Sequence, residues 1–219
     1  MDFAGILKFL KALAKNNNRE WFEKNKGTYL EAKEFFEKFI AQYLEQLIPF
    51  NPELAGLEPR KLPFRIYRDV RFSKDKRPYK TNMGAGISEN GRMMNEPGYY
   101  VHIEPGKSFV AGGFYMPDPP RLAKIRQEID YNGDRLEKIF KDKAFKKWFV
   151  DFDDFDKLKT VPKGYDKGHP RLEWLKNKSF IVTHSFSDKE VCDKKFLKQL
   201  TSAAMSMRPL NNFLREAVE

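Results

Sequence analysis

The run from Tyr99 to Glu104 alternates strictly, with Tyr99, Val101 and Ile103 on one side and Tyr100, His102 and Glu104 on the other. A period of two fits a strand with one face buried and one open, and it fits no helix. The turn EPGK follows at once and leads into SFVAGGFYM, so 99–104 and 108–116 are expected to form an antiparallel hairpin. Phe64, Ile66, Val70 and Phe72 alternate with Arg65, Tyr67, Asp69, Arg71 and Ser73, which predicts another strand over 64–73. Strands are expected over 82–88 and 180–186 as well. In the first of these, Gly84 and Gly86 mark a bulge or a close approach.

On either side of these strands the apolar period is helical. Phe3, Ile6, Leu7, Leu10 and Leu13 define an N-terminal helix that ends at Asn16-Asn17-Asn18, and Asn18 caps the next one. A stripe of Phe35, Phe36, Phe39, Ile40, Tyr43, Leu44 and Leu47 then runs to Pro49. Asp118 caps a central helix with Pro119 in its first turn, and Asn132-Gly133 is expected to break it. Ser187 and Glu190 form a capping box that opens the C-terminal helices, which Pro209 is expected to divide. Helices, then antiparallel strands, then helices predict an α+β fold and not a βαβ alternation. No repeat or change in composition divides the chain, so one domain over 1–219 is expected.

Several functions are excluded by what the chain lacks. A single cysteine, Cys192, allows no internal disulfide and suits a reducing compartment. No apolar run approaches the roughly 18 residues of a membrane span, and the N-terminus has no signal-peptide core. Cytoplasmic residence without a membrane partner is therefore expected. Gly106-Lys107-Ser108 lacks the earlier glycine and the following helix of a phosphate loop. Asp151, Asp153, Asp154 and Asp156 lack the glycine and glutamate of a calcium loop. The histidines are far apart in sequence, and neither a metal nor a cofactor is expected.

Charge is the remaining signal. The chain carries a net +10, of which +7 lies within the 21 residues from Arg60 to Lys80. Such local concentration of one sign recruits anions. Arg65, Arg68, Arg71, Ser73, Lys74, Lys76, Arg77, Tyr79 and Lys80 are the candidate anion contacts, with Tyr79 as a stacking surface. Arg68 falls on the apolar side of its predicted strand, so it must meet a carboxylate, carbonyl groups or a bound anion, unless a bulge turns it outward. Three functions fit. The first is a binding module for a phosphate-bearing partner, either nucleic acid or a phosphorylated, nucleotide-like small molecule. The second is an enzyme on a small acidic substrate, with Arg68 and Arg71 holding the anion and Asp69, His102 or Glu104 moving a proton. The third is an interaction protein whose arginines only tie the fold together. The sequence leaves the oligomeric state open.

The segment FRIYRDVRFSKDKRPYKTNMG, with NNREWFEKNKGTY before it, resembles the signature of the uncharacterised family called domain of unknown function 2461. YYVHIEPGKSFVAGGFYMP, LAKIRQEI and LKTVPKGYDKGHP extend the likeness over nearly the whole chain. The resemblance implies a single intracellular α/β domain. It also implies a shared anchor in Arg65, Arg68, Asp69, Arg71, Ser73, Lys76, Pro78, Tyr79 and Lys80. It implies no reaction, cofactor or catalytic residue.

Overall fold

A computed structural model describes residues 1–92 and 95–219. Three helices come first: α1 (Phe3–Lys15), α2 (Arg19–Lys24) and α3 (Lys26–Leu47). Strands β1 (Met83–Ile87), β2 (Gly98–Ile103) and β3 (Ser108–Phe114) follow. Next are α4 (Pro119–Lys141), α5 (Lys143–Lys146) and α6 (Leu172–Leu175), then β4 (Phe180–Phe186), α7 (Asp188–Val191) and α8 (Phe196–Glu216). The four strands form one antiparallel sheet in the order β1-β2-β3-β4. The fold is α+β, with the sheet packed by helices. No described helix is long and apolar enough to cross a membrane.

The helix starts follow local chemistry. Asp2 accepts from the Gly5 amide at 2.8 Å, Asn18 from Trp21 at 2.9 Å and Asp118 from Arg121 at 3.0 Å. Ser187 and Glu190 close the expected capping box. Each such side chain satisfies an amide that the helix leaves without a partner.

The helix break expected at Asn132-Gly133 is present as a kink: Asn132 leaves helical geometry (φ −118°, ψ 19°), and helix resumes as far as Lys141. The break expected at Pro209 is absent, since Pro209 lies inside an unbroken α8. An interior proline costs about 3 kcal/mol. Against that, α8 buries Phe196, Leu200, Met207, Leu210, Phe213 and Leu214. Each of these is worth roughly 1.5–3 kcal/mol, so packing wins.

Alternation sorts the sheet into two faces. Met83, Ala85, Ile87, Tyr99, Val101, Ile103, Val110, Phe114, Phe180 and Val182 are buried. This inner face meets α3 along β1 and α8 along β3, with α1 and α4 packed behind those helices. The register places Gly84 opposite His102, Gly86 opposite Tyr100 and Ala111 opposite Tyr100 on the other side. Those residues, with Phe109, Gly113, Ile181 and Thr183, make up the outer face.

The predicted strand over 64–73 is not present. Only an irregular ribbon runs beside the edge of β1: the Phe64 amide donates to Gly84 O at 2.8 Å and the Gly86 amide to Leu62 O. The Lys80 amide donates to Ile66 O and the Arg68 amide to Pro78 O. Pro63 and Pro78 have no N–H to give a ladder. Between the bridges Pro63↔Ala85 and Tyr67↔Tyr79, three residues on one side (64–66) face five on the other (80–84), so the ribbon carries a bulge of two extra residues within 81–83. Beyond Arg68 the chain swings out as a loop, and Phe72, assigned by alternation to a buried face, is 95% exposed.

Gly113 is the position where the sheet most needs glycine. Its φ is +116°, and a Cβ there would sit 2.0 Å from Phe180 O on the neighbouring strand. Gly113→Ala is expected to cost about 3 kcal/mol or more in urea unfolding, through forbidden backbone geometry and a clash that only backbone movement relieves. Gly168→Ala, where a Cβ meets nothing within 4 Å, is the control and should stay within about 0.5 kcal/mol of the parent. Equal stabilities for the two variants would contradict the β3–β4 register.

Candidate functional site

The basic loop is largely occupied by its own acids. Asp69-Val70-Arg71 and Asp75-Lys76-Arg77 repeat one arrangement, in which the aspartate accepts both the backbone amide and the guanidinium of the arginine two residues on. Arg68 reaches Asp75 at 2.8 Å and donates to Arg77 O at 3.0 Å. The carboxyl of Asp75 is held far below the ordinary range, by Arg77 first and then by Arg68; that of Asp69 is lowered by Arg71. Lys76 donates to Val70 O at 3.1 Å. Exposed pairs of this kind stabilise little. They give the loop a shape and engage three of its arginines, while the segment keeps its net positive charge.

Tyr79 is not a free stacking surface. Its ring is 3% exposed and stacks on Phe22, with centroids 3.9 Å apart. Asn17 holds its backbone from both sides, donating to Tyr79 O at 3.0 Å and accepting from its amide at 3.1 Å. That clamp fixes the next residue, Lys80. The Lys80 ammonium lies 5.2 Å from the Phe64 ring centre, and the Arg92 guanidinium lies 4.9 Å from it. Burial lowers the Lys80 pKa, and the charges of Arg65 and Arg92 lower it further. Among the described residues no carboxylate lies within salt-bridge distance of Lys80, Arg65, Arg92 or Lys74.

Lys80 opens into a cleft of about 520 Å³ on the outer face of the sheet. Tyr100, His102 and Phe109 stand in it, with Ser88, Glu96 and Tyr115 at its rim. Here the alternation of β2 has its consequence. Residues 100, 102 and 104 share a face, and their side chains form one hydrogen-bonded row. The ring nitrogen His102 Nε2 is 3.1 Å from Glu104 Oε2, and Nδ1 is 3.1 Å from Tyr100 Oη. Thr81 donates to the other Glu104 oxygen at 2.8 Å, and Asn82 Nδ2 approaches His102 Nδ1 at 3.4 Å. Phe109 stacks under the imidazole at 4.5 Å. A Cβ on Gly84 would lie 2.5 Å from the Tyr100 hydroxyl, so glycine makes room for the head of the row.

Protonation follows from the partners. An ionised Glu104 only accepts, so Nε2 carries the imidazole proton and Nδ1 presents a lone pair. Both groups facing Nδ1, the Tyr100 hydroxyl and the Asn82 amide, are donors. Burial pushes the His102 pKa below its ordinary value, while Glu104 pulls the other way. Burial, with the charge of Glu104, pushes the Tyr100 phenol up to about 12. Both are neutral at neutral pH.

Of the residues proposed from sequence, the structure brings His102, Glu104 and Lys80 together, with Arg65 near enough to depress Lys80. Asp69, Arg68, Arg71, Arg77 and Lys76 are engaged within the loop, and Ser73 and Lys74 lie on it. Thr81, Asn82, Arg92 and Phe109 were not singled out. The signal for Thr81 and Asn82 was their place directly after the basic run.

A family model described as "Conserved hypothetical protein (DUF2461)" matches residues 5–213. No curated protein and no solved structure matches the chain.

The imidazole signals of His102 should titrate below about 6.5 in proton–nitrogen NMR spectra. Glu104→Gln should move that value lower still, since Glu104 is the group that raises it. The folded state then binds fewer protons than the unfolded chain, so the contribution of His102 to stability falls as pH drops from about 6.5 towards the folded value. A His102 pKa above the ordinary value, or one that rises in Glu104→Gln, would contradict this row.

Proposed function

The chain belongs to the family described as conserved hypothetical protein DUF2461, and from its own chemistry we propose that the outer-face cleft binds a small anionic molecule and transfers a proton on it. Lys80 holds the anion, with Arg65 and Arg92 adding to the local potential. Tyr100, His102 and Glu104 move the proton. One observation carries this reading: a partly buried cation without a carboxylate partner opens into the same cleft as a tyrosine–histidine–glutamate row.

The chemistry is that of an enzyme acting on a small acidic or phosphorylated substrate. Neutral Tyr100 donates its hydroxyl proton to an oxygen on the bound molecule that is gaining charge. In the reverse sense, Tyr100 Oη takes a proton from the ligand while its own passes to His102 Nδ1. The resulting imidazolium faces the Glu104 carboxylate, which stabilises it. In this second direction every charge has a partner, whereas in the first the phenolate left on Tyr100 faces the Nδ1 lone pair, so the row favours taking a proton from the ligand. Burial keeps tyrosine and histidine neutral at rest and strengthens each electrostatic contact.

Calorimetric titration with inorganic phosphate at low salt tests the anion site. Lys80→Met is expected to weaken binding about tenfold or more, while Lys74→Met on the loop changes it less than about twofold. The opposite ranking would move the site to the loop and overturn this reading.

A second reading rests on Phe72. An almost fully exposed phenylalanine beside Arg71 and Lys74, on a loop braced by its own ion pairs, suits a base of single-stranded nucleic acid, with the lysines on phosphates. Titration of a labelled oligonucleotide at two salt concentrations checks it. Binding that weakens with added salt and in Phe72→Ala is expected, and no binding at low salt removes this reading.

A further inference from the structure

The cleft is larger than an anion needs, and its two ends differ. It begins beside Lys80 and Phe64 on the β1 side and reaches Ile181 on β4. That is three strand spacings, roughly 14 Å. A volume of about 520 Å³ is that of a site for a whole small molecule, and inorganic phosphate would fill only a small part of it. Lys80 is the one cation among its described lining residues. At the rim, Glu96 is already committed to the Asn90 amide and side chain, at 2.7 Å each, and would repel a second anion.

The far end is apolar and flat. Ala111 and Gly113 give it a floor of nearly bare backbone, bordered by Ile181. Tyr115 stands beside this floor, about half exposed, and shares a stacked contact with the exposed ring of Phe155 at 6.2 Å. Its direction is fixed by the next residue. Met116 takes a left-handed backbone (φ 49°), and its amide donates to the buried Ser179 hydroxyl at 3.0 Å. A clamped, non-glycine residue in that region is an arrangement the surrounding structure imposes. Here the result is an aromatic face held in water beside a glycine-floored slot.

We infer that the cleft takes a small molecule with an anionic group at the Lys80 end and a planar ring lying on the Ala111–Gly113 floor against Tyr115, of the nucleoside monophosphate class. The inference rests on the anion site proposed above and adds the second half of the ligand. A ring suits the far end better than an alkyl chain, because the floor is flat and the exposed wall is aromatic. Stacking of a base on an aromatic side chain multiplies affinity roughly tenfold to a hundredfold.

The test is a titration of the full chain with adenosine monophosphate, inorganic phosphate, adenosine and octanoate. Adenosine monophosphate should bind at least about tenfold tighter than phosphate. Tyr115→Ala should erase most of that advantage while leaving phosphate affinity within about twofold. Tyr115 is about half exposed, and an unchanged thermal midpoint shows that the variant folds. Adenosine monophosphate binding no tighter than phosphate, octanoate binding tighter than either, or an unaffected Tyr115→Ala would overturn the inference and leave the anion site standing. Phosphate binding that ignores Lys80→Met would instead strike the anion site itself.

Discussion

Burial of the inner sheet face against α3 and α8 is the interaction on which the rest of the molecule depends. It fixes the register, because a slip of one residue would turn Val101, Val110 and Val182 towards water and bring Tyr100 and His102 into the core. With the register set, alternation leaves Tyr100, His102 and Glu104 no choice of side. The site is thus a by-product of the core: polar residues spaced by two, Tyr100 and His102 on β2 and Glu104 just past its end, facing away from the helices and towards residues supplied by loops. The same packing keeps α8 unbroken through Pro209.

Net charge and available charge differ here. The basic segment carries its excess in sequence, but Arg68, Arg71 and Arg77 close on Asp69 and Asp75 within the loop. The cation that opens into the cleft is Lys80, held there by a chain of causes with little to do with charge. Asn17 clamps the Tyr79 backbone, Phe22 stacks on the Tyr79 ring, and the following residue has one place to go. On the proposed reading, a cation in that position, next to Arg65 and Arg92, is what an anion from outside would relieve.

Much of the fold could be read from periodicity and caps. The strands over 82–88, 99–104, 108–116 and 180–186 all lie within a few residues of those observed, and Asn18, Asp118 and Ser187 cap the helices they were expected to cap. The strand over 64–73 misled because alternation of types was counted without the prolines at its borders or a partner strand in register. Phe72 had the right chemistry for a core and no strand to carry it inward. The row through His102 was half legible, since spacing by two placed its members on one face while their contact with Thr81 and Asn82 depends on a bulge. The Asp-x-Arg repeat was on the page, and its meaning is local: a carboxylate two residues before an arginine can hold that arginine's own amide. Tyr115 gave no signal beyond its place near the end of the expected strand 108–116, which in the structure stops at Phe114.

Mapping amide shifts of nitrogen-labelled protein during addition of inorganic phosphate tests the central claim most directly. The account predicts that the largest changes fall on Lys80, Gly86, Tyr100 and His102, along the cleft. Changes confined to residues 68–78, or none anywhere, would contradict it.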